Sequence, residues 1–307
     1  MISKEYSDSE FGTVILQKNA RSRCISIRVR GVPRKSGSRI SVTIPWNLRF
    51  SDGVEYLEKR REWVREALKR QDIHREEADN EGLSVGKLED GYVMHTLLSR
   101  IEFRASDVPG RQSVIIRRQP AENVHDMKRL WMSLDAPFTT KTIEFPSYRS
   151  MSGSGFTEQE FSERLSMTLN KALVEILREE AKLLLPQKTD YLAKQYGFRV
   201  KRLTIKHNSS NWGSCSSAGN INLNLNLVRL PEPLCDYVVL HELCHLLEAN
   251  HGPRFHKMLE LMCVSDIRHL LYIGSPDAEK YRAWTENTAL PPLDEVLSRE
   301  ISKWRLV

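Results

Sequence analysis

The chain has 307 residues, of which 40% are hydrophobic and 28% charged, and its formal net charge is +6. That length fits one large domain or two modest ones, and the composition is that of a globular rather than a disordered or fibrous chain. No run approaches the ~20 apolar residues of a membrane span, and residues 1–12 lack the apolar core of a secretory signal. Five cysteines without repeated spacing exclude a disulfide framework, so a cytoplasmic protein without membrane contact is expected.

The elements begin as strands. Residues Cys24 to Arg30 and Ile40 to Ile44 alternate polar and apolar side chains around the turn-forming GVPRKSGS, which predicts a β-hairpin. Between Lys18 and Arg39 there are eight Lys or Arg and no Asp or Glu. Such a run suits phosphates, including those of a nucleic acid, acidic polypeptide or anionic lipid, and equally a solvated hairpin face. A helix comes next over SDGVEYLEKRREWVREALKR, with Val54, Leu57, Trp63, Val64 and Leu68 as its buried stripe. Residues 71–86 are polar and read as a linker or an insertion. HTLLSRIEF, SVIIRR and RLWMSL read as strands, and the Ser/Gly-rich PSYRSMSGSGF between Pro146 and Phe156 reads as a boundary. The expected organisation is therefore α+β: a basic β-rich region over residues 1–150 and a second domain over residues 155–307.

That second domain opens with a long amphipathic helix carrying Phe161, Leu165, Leu169, Leu173, Ile176 and Leu177 on one side. Pro186 is expected to end or bend it, and Gly197 to stop the next helical segment. After a strand from Val200 to Lys206 comes a loop, then the most regular strand pattern in the chain, from Ile221 to Val228. Here Ile221, Leu223, Leu225 and Leu227 alternate with Asn222, Asn224 and Asn226. The period of two places the amides on one face, where they are candidate substrate-binding groups.

The chemistry concentrates in PEPLCDYVVLHELCHLLEANHGPRFHKMLELM. Pro233 suits a first helical turn. His241 and His245, four residues apart, share one helix face and can converge on one Zn²⁺ at ~2.0–2.1 Å each. Glu242 projects beside the pair, where a carboxylate can hold a water without ligating the metal and act as general base. Aliphatic residues on both sides make the helix buried, and buried histidines need partners. Two residues compete as third ligand: Glu248, one turn beyond His245, and His251, which comes after Asn250 and precedes Gly252-Pro253. The turn chemistry favours His251. Cys215, Cys235, Cys244 and Cys263 are read as reduced, packed thiols rather than ligands.

WGSCS (Trp212 to Ser216), INLNLNLV and DYVVLHELCHLLEANHGPRFH together resemble the YgjP-like family of metal-dependent hydrolases, a zinc-metallopeptidase-like group distantly related to SprT-like proteases. The HGxxF element formed by His251, Gly252 and Phe255 is similar to the SprT-type segment whose histidine is the third ligand. The resemblance implies a zincin-type domain with an active-site helix beside a small sheet. Two positions depart from it: Asn211 stands where the family commonly has Arg, and His256 where it commonly has Trp.

The expected activity is zinc-dependent hydrolysis of polypeptide, with Glu242 as base. Two rivals share the same residues. One is hydrolysis of a nucleotide phosphoanhydride, although no GxxxxGK[ST] loop is present. The other is a nucleic-acid-associated SprT-like protease that uses the basic run between Lys18 and Arg39.

Overall fold

The computed structural model describes residues 2–30, 37–80, 85–108, 113–120, 139–151 and 157–307. The strand expected at RLWMSL and most of the GVPRKSGS turn lie outside the described residues. The chain forms two compact units, Met1–Ser84 and Val85–Val307.

In the first unit β1 (Ile2–Asp8) and β2 (Gly12–Asn19) form a hairpin, and Asp8 accepts the backbone N–H groups of Glu10 and Phe11, both at 2.9 Å, across its turn. β3 (Ser26–Val29) pairs antiparallel with β4 (Ile40–Pro45), as the alternation predicts, and β4 continues parallel to β2 in the order β1-β2-β4-β3. Val14, Leu16, Val42 and Ile44 meet Leu57 and Val64 in a small core of their own. The expected single helix is two, α1 (Phe50–Lys59) and α2 (Arg61–Asn80). Two readings of this stretch need correction. Trp63 is 41% exposed while its neighbour Val64 is buried, so only one of the pair belongs to the stripe. Residues 71–80 are helix rather than linker. Within the basic run, Arg39 pairs with Asp72 at 2.7 Å and Lys18 donates to the Trp46 carbonyl, whereas Arg21, Arg23 and Arg28 are exposed.

The second unit holds two sheets and four helices among its described residues. The first sheet runs β5-β6-β8-β7, built from β5 (Val93–His95), β6 (Ser99–Ser106), β7 (Ile115–Pro120) and β8 (Thr139–Pro146). Its buried Ile101, Phe103, Ile143 and Phe145 join the same core as the long helix α3 (Glu158–Tyr196). The division between units therefore lies at residues 84 and 85 and not at 150–155: apolar burial ties the β5–β8 sheet to α3. This helix begins with a capping box, Thr157 and Glu160 satisfying each other's backbone N–H, and ends at Gly197, whose φ of 74° needs glycine. Pro186 does not end it. Leu184, Leu185, Lys188 and Thr189 are buried on both sides of the proline, so packing carries the helix through.

The second sheet is small: β9 (Arg202–Lys206), β10 (Gly213–Cys215) and β11 (Asn220–Asn224), in the order β10-β11-β9. The strand expected to reach Val228 stops at Asn224, where the Asn224 side chain accepts the Asn226 N–H and opens a 3₁₀ turn over Leu225–Arg229. Then come α4 (Glu232–Cys244), α5 (Pro253–Tyr272) and, beyond an irregular 3₁₀ segment over Pro276–Thr285, α6 (Leu293–Ile301). No helix of the described residues is long and apolar enough to cross a membrane.

Candidate metal centre

α4 starts at Glu232 with Pro233 in its first turn and is buried along nearly its whole length. Its two histidines sit at the end. His245 caps the helix, the chain turns over residues 246–252, and Pro253 opens α5. This reversal returns His251 to the pair. Ligand atoms of His241, His245 and His251 all lie within 4.8 Å of one another, and Nε2 of His241 and of His251 are 3.0 Å apart. Nitrogens bound to one tetrahedral ion at ~2.0–2.1 Å stand ~3.3 Å apart, close to that spacing. Glu248 contributes its backbone instead of its carboxylate: its carbonyl faces His245 Nδ1 at 3.0 Å. That contact places the ring hydrogen on Nδ1 and leaves Nε2 free to ligate.

Phe255, fully buried on α5, lies under the cluster with ring centres 4.9, 4.7 and 4.7 Å from those of His241, His245 and His251. Burial, reinforced by the neighbouring imidazoles, pushes His241 down to about 4. The ring is thus neutral at pH 7, the form a metal requires. Its Nδ1 is buried without a partner among the described residues.

Glu242 is 5% exposed, and its carboxylate hydrogen-bonds no described residue; Oε2 is buried. Burial pushes it up to about 7. The carboxylate rests against Gly213, where a Cβ would come within 2.6 Å of Oε1. This gives a role to the glycine of the WGSC element, to which the sequence pattern alone assigns none. A signal is present in the sequence, since glycine inside a strand marks close approach of another group.

The asparagines behave differently from expectation. Asn224 and Asn226 are buried, and Asn224 braces the preceding loop through the carbonyls of Asn208 and Asn211, at 2.8 and 2.9 Å. Asn226 accepts from Arg229 at 2.9 Å, and half-buried Asn222 donates to Ser214 at 3.1 Å. Asn224 and Asn226 are thus spent on bonds within the fold, and β11 is the central strand, both of its edges being paired. The edge strands are β10 and β9, and β10 is the one beside Glu242.

A three-histidine donor set, a neutral buried imidazole and a carboxylate with no protein partner fit a divalent metal with an adjacent base. A model of the YgjP-like metallopeptidase domain matches residues 101–265, just over half of the chain. The chain belongs to the YgjP-like family. No curated protein and no solved structure matches it. The YgjP-like domain covers both sheets of the second unit apart from β5 and the first strand residues of β6, and it ends within α5. Membership makes the protein a metal-dependent hydrolase of metallopeptidase type. Beyond the YgjP-like segment, α6 completes a cavity of about 570 Å³ that opens on His241 and His251. The cysteines are free, and none joins the cluster.

Proposed function

We propose that the chain is a zinc-dependent peptidase in which His241, His245 and His251 hold the ion and Glu242 is the general base. The observation that carries this reading is the convergence of three imidazoles beside a buried carboxylate that bonds nothing else in the described structure. When bound, zinc supplies a Lewis acid that lowers the pKa of water to ~7 and polarises the scissile carbonyl. Glu242 takes the proton of the attacking water as its oxygen bonds to the carbonyl carbon, and returns that proton to the amine as the C–N bond breaks. A carboxyl raised by its surroundings toward neutrality is suited to both halves of this exchange. Gly213 keeps the base in place, and the open edge of β10 offers main-chain groups to an extended peptide.

The test is Glu242→Gln, which preserves size and polarity but removes the basic oxygen. We expect about one zinc per chain in both proteins and a fall in kcat of ~10²–10⁴-fold in the variant. Substrates are unfolded polypeptide and, for the nucleotide alternative, a panel of nucleoside triphosphates. Unchanged turnover in a fully metallated variant would place the chemistry elsewhere.

A further inference from the structure

The cavity beside the histidine cluster contains a second imidazole that the metal does not use. His256 stands in the first turn of α5, directly after Phe255, and its ring centre is 6.4 Å from that of His251. Its Nδ1 lies 2.8 Å from Oδ2 of Asp294, whose side chain is only 2% exposed, whereas the histidine side chain is 51% exposed. The Asp294 backbone N–H donates to Glu260 of α5 at 2.9 Å, which ties the start of α6 to α5, and the other carboxylate oxygen, Oδ1, is buried with no partner among the described residues. A carboxylate only accepts, so Nδ1 carries a hydrogen and the ring is held in one orientation. The opposite nitrogen, Nε2, bonds no described residue. His256, His241 and His251 line the same cavity.

Base and second imidazole come from different elements: Glu242 rests on Gly213 of β10, whereas His256 is anchored by α6. Hydrolysis of an amide needs both a base for the water and a donor for the carbonyl oxygen as negative charge develops there. Resting on the peptidase reading, we propose that His256 is that donor, a catalytic residue whose Nε2–H bonds the substrate carbonyl oxygen. Asp294 is the positioning residue that aims it. In this role the ring carries hydrogen on both nitrogens, the form in which imidazole donates twice. No bond to His256 is made or broken, and the proton of the water travels only through Glu242. Asp294 lies beyond residues 101–265, which match the family model, whereas His256 lies within them.

The experiment compares wild type with His256→Phe, His256→Gln and Asp294→Asn, each loaded with zinc and checked for metal content and Tm. His256→Phe keeps a ring at an exposed site but cannot donate. Its kcat should fall ~10²–10³-fold with KM little changed, the loss usual for one oxyanion donor. His256→Gln, which retains an N–H, should recover part of that loss, and Asp294→Asn should fall between. Binding of a phosphinic peptide, which carries the oxyanion without reacting, should weaken in His256→Phe by a similar factor. In the metal-free protein, the downfield Nδ1 proton resonance of His256 should vanish in Asp294→Asn. An active wild type with an equally active His256→Phe, or unchanged phosphinate affinity, overturns this role alone. A zinc-loaded wild type that cleaves no peptide overturns the peptidase reading and this role with it.

Discussion

The two ends of α4 treat buried charge in opposite ways. Near its start, Glu232 and Asp236 are buried against Lys188 of α3, whose ammonium donates to them at 2.9 and 2.7 Å and is itself 1% exposed. Burial alone would lower the lysine, but Asp236 and Glu232 outweigh it and hold it charged. Six residues beyond Asp236, Glu242 is buried with no ion pair and no hydrogen bond among the described residues. A protein that satisfies one set of carboxylates so completely has the means to satisfy another. Glu180 and Asp294 each leave one buried oxygen unmet while the other is bonded, whereas the carboxylate beside the histidines has no bond to any described residue. Unmet hydrogen-bonding capacity at a buried group points to a site for chemistry.

The comparison breaks most visibly at Lys188. Lys188→Met removes the cation that faces both buried carboxylates, and breaking a buried pair from one side costs about 3–5 kcal/mol. Urea unfolding should show that loss while folded protein keeps its metal. A change under about 1 kcal/mol, the scale of an exposed pair, would mean that the first end of α4 is no better satisfied than the second.

Glu242 gives the converse. In metal-free protein, burial raises its pKa from 4.5 to about 7. Across that window the folded state holds a proton that the unfolded state has released, so the stability this group contributes is full below about 4.5 and is lost as pH rises through 7. The shift corresponds to about 3 kcal/mol. Glu242→Gln cannot ionise and lacks this slope. Metal-free wild type and variant should therefore diverge between about pH 4.5 and 8, the wild type losing about 3 kcal/mol relative to the variant over that range. Parallel pH profiles would show that the carboxylate is solvated after all.

What is readable in the sequence divides along the same line. The i,i+4 histidines, the reversal before His251 and the β3–β4 pairing are local patterns, and local geometry suffices to produce them. The β5–β8 sheet falls on the wrong side of the expected boundary because a Ser/Gly-rich stretch resembles a linker whether or not the apolar faces on either side share a core. Asn224 and Asn226 alternate perfectly with leucines, yet alternation cannot say whether the second face meets solvent or another part of the chain. The expectation that Pro186 could end the helix weighs only the proline's local cost, which burial on both sides overrides. The His256–Asp294 pair spans 38 residues between two helices, a separation no periodicity reports.

A smaller effect is expected at Gly213. An alanine there would bring its Cβ within 2.6 Å of Glu242 Oε1, so either the carboxylate or β10 must shift. Overpacking of this kind costs about 1–3 kcal/mol. Because the histidines are untouched, Gly213→Ala should keep its zinc and lose turnover by roughly tenfold or more, the penalty of moving a catalytic group by ~1 Å. Loss of metal with the base in place would reverse the roles assigned to strand and helix.

The smallest effect tests whether α4 has a third kind of buried residue. Cys244 is buried between the two histidines in sequence but is absent from their cluster, and burial pushes its thiol up to about 12, so it is not a thiolate at neutral pH. Metal ligation requires the thiolate. Packed as a small apolar group, the sulfur should be worth no more than one buried methylene, and Cys244→Ala should cost about 1 kcal/mol. Zinc stoichiometry and hydrolysis should match wild type. If the folded variant lost its metal, the sulfur would be taking part in the site, and the ligand set would no longer be three imidazoles alone.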